Sequence, residues 1–127
     1  MGDKKRGFPE SFKSALSGIY VAARKELHIR VHFIIAVLVV VGALVMGLDH
    51  PLEWAVLLVI IAVVIVAEMI NTVIEILVHT LVKERLPEIG HALDICAGAV
   101  LVAAFLAVIV GVLLLGRPLW DTLGRWF

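Results

Sequence analysis

The sequence predicts an all-α integral membrane protein, with an N-terminal amphipathic surface helix followed by three transmembrane helices. Three observations predict it. Of 127 residues, 62% are hydrophobic and the mean hydropathy is +1.09, well above the ~45–50% apolar share of a soluble domain. Three apolar runs each approach or exceed the ~20 helical residues needed to cross a hydrocarbon layer. Basic residues crowd ahead of the first run, although the formal net charge is zero. So little length remains outside the helices that residues 1–127 read as one membrane domain. The single Cys96 excludes an internal disulfide and a multi-cysteine metal site. No secretory signal is evident: the first apolar run starts after a long polar stretch and lacks a small-residue cleavage pattern, so it is expected to stay in the membrane.

Residues 1–10, with Lys4, Lys5, Arg6, Gly2, Gly7 and Pro9, read as a flexible basic tail near anionic headgroups. Over 11–25, Phe12, Leu16, Ile19, Tyr20 and Ala23 recur at spacings of three and four, with Lys13, Ser14, Ser17 and Arg24 elsewhere on the wheel. That pattern predicts an amphipathic helix lying in the cytoplasmic interface, with Ser11 as its N-cap. The first crossing is expected over 29–48, where His32 is the one polar side chain between Val31 and Leu48; Asp49, His50 and Pro51 then make a turn. The second, over 52–78, is apolar through Ala67 and then carries Glu68, Asn71 and Glu75. A loop from His79 to His91 holds Lys83, Glu84, Arg85, Pro87, Glu88 and Gly90, and the third crossing is expected over 94–116. Gly98, Ala99 and Ala103 are small residues that permit close helix packing. Pro118 and residues 120–127 fall at the opposite interface, where Trp120 and Trp126 join Trp54 in an aromatic belt.

Orientation follows from the basic residues. Seven of the eleven lie at or before Arg30, none lies between the first and second spans, Lys83 and Arg85 lie between the second and third, and Arg117 and Arg125 follow the third. The positive-inside rule then puts the N-terminus and the second loop in the cytoplasm, and the Asp49 turn and the C-terminus outside.

Glu68, Asn71 and Glu75 stand at i, i+3 and i+7 and share one face of the second helix. At 1.5 Å per residue from Leu52, Glu68 lies ~24 Å and Glu75 ~35 Å along it, near the cytoplasmic edge of a ~30 Å core. Glu26 and Arg30 enter the first span from the same side, and Asp94 enters the third, either as its N-cap or as a member of the same acidic group. For Glu26 and Arg30 an i,i+4 ion pair is the simpler alternative; for Glu68 and Asn71 it is a polar contact between helices. Ionised groups at this depth cost roughly 2.5–3.5 kcal/mol, so they are normally paired, solvated or functional. Carboxylates from several helices at an aqueous boundary suit Mg²⁺, a hard cation that commonly arrives with nucleotide phosphates. No Walker-type phosphate loop, kinase catalytic loop or HExxH zinc motif is present, so any ATP chemistry would use none of the common soluble scaffolds.

The strings KELHIRVH at 25–32, AEMINTVIE at 67–75 and LDICAGAVL at 93–101 together resemble the prokaryotic diacylglycerol kinase and undecaprenol kinase family, in order and in separation. The resemblance implies a homotrimer in the bacterial plasma membrane, with composite active sites between neighbouring protomers at the cytoplasmic interface. It implies ATP-dependent phosphorylation of a membrane lipid alcohol, with Glu68 as general base and with Glu26 and Glu75 holding Mg²⁺ on the ATP phosphates. Asn71 and Asp94 match active-site positions of the family, and Arg30 is placed with them on the nucleotide side. Likeness to the Gram-positive members, including the PLEW turn at 51–54, favours undecaprenol over diacylglycerol. No nucleic-acid partner is expected. Three positions depart from the family pattern: His79 stands for an Asp, Leu93 for a Lys expected at the phosphates, and His28 for an Asn. Lys25, Arg30, Lys83 and Arg85 are the cations available to replace that Lys. Those departures motivate a rival reading as a catalytically degenerate membrane scaffold, and the Glu68 stripe motivates another as a small ion-conducting oligomer.

Overall fold

The computed structural model describes residues 7–84 and 86–126. They form four helices, α1 (Phe8–Lys25), α2 (Leu27–Val45), α3 (Pro51–Leu81) and α4 (Pro87–Leu123), with no strand among the described residues. The last three are long and apolar enough to cross a membrane, as the sequence predicts. The basic cluster Lys4, Lys5 and Arg6, and Arg85 of the second loop, lie outside the described residues.

Helix boundaries depart from expectation where proline was read as an end rather than a beginning. α1 starts at Phe8, not after residue 10, with Gly7 as N-cap and Pro9 in the first turn. There its missing N–H is no loss and its fixed φ is already helical. Ser11 is therefore not the cap; its N–H donates to the Gly7 carbonyl at 3.0 Å as an ordinary helical bond. No residue of α1 is buried. One extended residue, Glu26 (φ −100°, ψ 116°), separates α1 from α2; its N–H donates to Ala22 and its carbonyl accepts from Arg30. Its carboxylate makes no capping bond.

α2 ends in a Schellman motif, which is why the sharp turn follows at once. Gly47 sits at φ 75°, the Leu48 N–H reaches the Ala43 carbonyl at 2.9 Å, and the Gly47 N–H reaches that of Leu44 at 3.1 Å. This satisfies carbonyls left over at the helix end and requires a residue free to adopt the left-handed conformation. Leu48 and Ala43 are buried together with Leu57 of α3, under Val39, Trp54 and Ile61. Across the turn the Trp54 indole N–H donates to the Leu48 carbonyl at 2.7 Å. His50 caps α3 by accepting the Leu52 N–H on Nδ1 at 3.2 Å.

α3 is the central helix. Its buried residues, Leu57, Val64, Glu68, Asn71 and Thr72, fall on one face, Leu57 packs with Ala43 of α2, and α3 contacts both α2 and α4. At 1.5 Å per residue its 31 residues extend to ~46 Å, so it outreaches a ~30 Å hydrocarbon core by several turns. α4 is longer still at 37 residues. It begins at Pro87 instead of 94, so Asp94 is not an N-cap but sits in the third turn, and the helix continues through Pro118 to Leu123. The polar residues of 87–93 read as loop only because a membrane span is defined by its apolar part; the helix itself need not stop at the hydrocarbon boundary.

Gly47→Ala is expected to destabilise the protein by about 1 kcal/mol, because the conformation is left-handed and a side chain there pays for it. No atom lies within 4 Å of the added carbon, so the cost is dihedral alone. Thermal unfolding in detergent should show a lower midpoint for Gly47→Ala and a smaller drop for Gly47→Asn, whose side chain tolerates that conformation.

Candidate active site

Three polar side chains are buried on the C-terminal half of α3: Glu68 at 7% exposure, Asn71 at 9% and Thr72 at 8%. They continue the face that Leu57 and Val64 bury farther along the helix, since spacings of seven, four and three residues return to the same side. Glu75, one turn beyond Asn71, is exposed. The polar stripe thus runs from a buried carboxylate to an exposed one within two turns.

Hydrogen bonding along the stripe is incomplete. The Asn71 amide N–H donates to Glu75 Oε1 at 3.2 Å, while the Asn71 Oδ1 is buried without a partner. A buried acceptor left open costs about 1–3 kcal/mol relative to a satisfied one, and in native proteins it commonly marks a place for water, an ion or a ligand. Glu68 Oε2 lies 4.0 Å from Nε2 of His32 on α2, beyond hydrogen-bonding distance.

The other residues singled out in the sequence are distributed around this stripe. Glu26 is half-buried at the α1–α2 junction, and Arg30 and Asp94 are exposed. Glu26 and Arg30 make no ion pair with each other; the ion-pair approach among the described residues is that of His32 to Glu68. Glu26, Glu75 and Asp94 are not brought together within one chain: no group of three or more His, Cys, Asp or Glu side chains able to hold a metal forms among the described residues. The donor chemistry nevertheless fits a magnesium ion. Mg²⁺ takes hard oxygen ligands and binds through one or two carboxylates plus waters and phosphate oxygens, without a complete protein cage. Glu75 at the exposed end of the stripe and the uncapped carboxylate of Glu26 are groups of that kind. His79, which departs from the family pattern, is engaged locally, with its Nδ1 2.8 Å from the Glu75 backbone carbonyl.

Two members of the site escaped the sequence. His32 stands in the sequence only as the one polar side chain of its span, because its neighbour is on another helix and interhelical register is not written in spacing. Thr72 could have been found: it follows Glu68 at i+4, on the same face.

Comparison with known proteins identifies the family. The family described as prokaryotic diacylglycerol kinase matches residues 13–115, which include every residue of the stripe. A protein of Synechocystis named diacylglycerol kinase is 36% identical over 110 residues, covering 86% of this chain and 62% of the relative. A protein of Bacillus subtilis named undecaprenol kinase is 32% identical over 107 residues, covering 84% of this chain and 86% of the relative. The chain therefore spans somewhat less than two thirds of the Synechocystis relative and most of the Bacillus one. No solved structure matches it significantly. On the extent of the family match and the identity shared with both relatives, the chain belongs to the prokaryotic diacylglycerol kinase family.

Proposed function

We propose that the protein transfers the γ-phosphoryl group of ATP to the hydroxyl of a membrane lipid alcohol at the cytoplasmic boundary of the bilayer. The observation that carries this reading is Glu68, a carboxylate 7% exposed on the inner half of a membrane helix, one turn from the open Asn71 acceptor. Glu68 takes the proton of the acceptor hydroxyl as that oxygen bonds to the γ-phosphorus and the bond to the β,γ-bridging oxygen breaks, releasing ADP. A positioned base of this kind is worth about 10²–10⁴-fold. Asn71 holds Glu75 by its amide and offers its carbonyl oxygen into the site. Glu26 and Glu75 hold Mg²⁺, which when bound neutralises charge on the phosphate oxygens. Arg30 and Asp94, exposed near the same end, flank the nucleotide, and Lys25, Arg30 and Lys83 are the described cations able to serve where Leu93 replaces the family's Lys.

Undecaprenol is the favoured acceptor. The support is the PLEW turn and the relative named undecaprenol kinase, of which the match covers 86%. The N-terminal helix lies along the cytoplasmic face of the membrane, with Phe12, Leu16 and Ile19 toward lipid. Three copies assemble as a homotrimer, which gathers acids that one chain leaves apart and covers part of the apolar surface of α4, where Leu101, Phe105, Val108 and Val112 are all exposed in the single chain.

Purified protein in detergent, which should weigh as three chains by native mass spectrometry, is expected to phosphorylate undecaprenol faster than diacylglycerol with Mg²⁺ and ATP. Glu68→Gln should lose about 10²–10⁴-fold in kcat while keeping its oligomeric state. A well-folded wild type that transfers phosphate to neither lipid would retire the kinase reading for these acceptors.

Asn71→Leu separates chemistry from stability. Replacing a buried amide that has an open acceptor by an apolar group of similar size is expected to leave the thermal midpoint unchanged or raised, while lipid phosphorylation falls at least ~10-fold as Glu75 loses its hydrogen-bond donor. A strong loss of stability would make Asn71 a packing residue instead.

The orientation is tested in a Cys96→Ala background. A membrane-impermeant maleimide added to intact cells should label Asp49→Cys and not Ser14→Cys; the reverse pattern would put the stripe on the outer face.

A further inference from the structure

His32 is the one polar side chain on the wall of a cavity of about 390 Å³ between α2, α3 and α4, lined otherwise by apolar residues such as Val39, Leu57, Val64 and Ala107 and by Gly111. Its side chain is 24% exposed, and its Nε2 lies 4.0 Å from Oε2 of the buried Glu68. Thus one imidazole touches both the apolar cavity and the buried carboxylate. Asn71 and Thr72 are the other polar neighbours on this face, and one N–H of the Asn71 amide goes to Glu75. A carboxylate rotates broadly about its last torsion unless something holds it. A general base, by contrast, must aim one oxygen at the proton it takes, and the hydrogen bonds that achieve this are often long in the empty site and tighten when substrate is bound.

We propose that His32 is a positioning residue for Glu68: its Nε2–H donates to Oε2 and leaves Oε1 aimed at the acceptor hydroxyl. This rests on the reading of Glu68 as the base. The contact also explains a polar side chain inside an otherwise apolar span of α2.

The alternative is a plain tie between α2 and α3, and kinetics and spectroscopy together discriminate the two. His32→Leu is expected to lower kcat about 10–100-fold, the scale of a base displaced by about 1 Å, with KM for MgATP unchanged. His32→Gln, whose amide N–H can occupy the place of Nε2–H, should recover most of that loss. In a Glu68→Gln background His32→Leu should cost nothing further, because residues that act as a unit are not additive. Full activity in His32→Leu, or an undiminished loss in the Glu68→Gln background, would overturn the proposal. Independently of activity, the side-chain ¹⁵N resonances of His32, identified by their absence from the His32→Gln spectrum, should shift in Glu68→Gln. Unmoved resonances would overturn the pairing whatever the kinetics. Shifted resonances in a protein that phosphorylates no lipid would retire the kinase reading and leave the pairing intact.

Discussion

Hydrocarbon offers no hydrogen bonds, and the rest of the molecule follows from that. Every backbone N–H and C=O within the bilayer must find its partner inside its own segment, which permits helices and forbids the irregular chain by which soluble enzymes usually present catalytic groups. A polar side chain in such a helix has to be placed on a face covered by other helices. α3 meets the requirement with a single stripe. Leu57 and Val64 bury one side of it, and the same side, carried two turns farther, buries Glu68, Asn71 and Thr72. The packing that holds the helices together is therefore also what withdraws a carboxylate from water.

How much of this could be read from the sequence depended on whether the signal lay within one helix or between two. Spans, order and the alignment of Glu68, Asn71 and Glu75 are intrahelical and were legible from hydropathy and a 3.6-residue period. The ends were less so. Pro9 and Pro87 each begin a helix, and the polar turns beyond the hydrocarbon, 87–93 above all, carry no apolar periodicity to mark them as helical. Pro118 fails as a terminator for a related reason: near a helix end it removes one hydrogen bond, and the turn after it is held by Thr122 Oγ1 donating to the Pro118 carbonyl at 2.8 Å. What no spacing encodes is the rotation of α2 against α3. His32 faces Glu68 because Ile29 and Ala43, at three residues before and eleven after it, are the buried positions of α2, and that phase is set by packing.

The same division explains why the acids do not close into a metal site in one chain. Glu26 belongs to the junction between α1 and α2, Glu75 to the exposed end of α3 and Asp94 to the third turn of α4. Sequence places them at one depth, but depth fixes only one coordinate; azimuth is fixed by packing. α3 and α4 form the most extensive helix pair, yet α4 buries only Ala103. A helix so long and so little covered has its remaining surface in contact with lipid or with other chains, and on the trimer reading the missing coordinate is supplied by a neighbour.

Length finally accounts for where along α3 the stripe falls. If Pro51 lies at the outer boundary, a ~30 Å core ends about 20 residues later, at Asn71. Glu68 is then just inside the hydrocarbon, Asn71 at its edge and Glu75 in the aqueous layer. A lipid alcohol keeps its hydroxyl near this boundary because its chain stays in the hydrocarbon, whereas a nucleotide triphosphate cannot leave water. A reaction between them can occur only where the two solvents meet, with a base reachable from the membrane side and cation-holding carboxylates reachable from the aqueous side. Two helical turns of α3 span that distance, so on the proposed reading one stripe of i, i+3 and i+7 residues can serve both reactants.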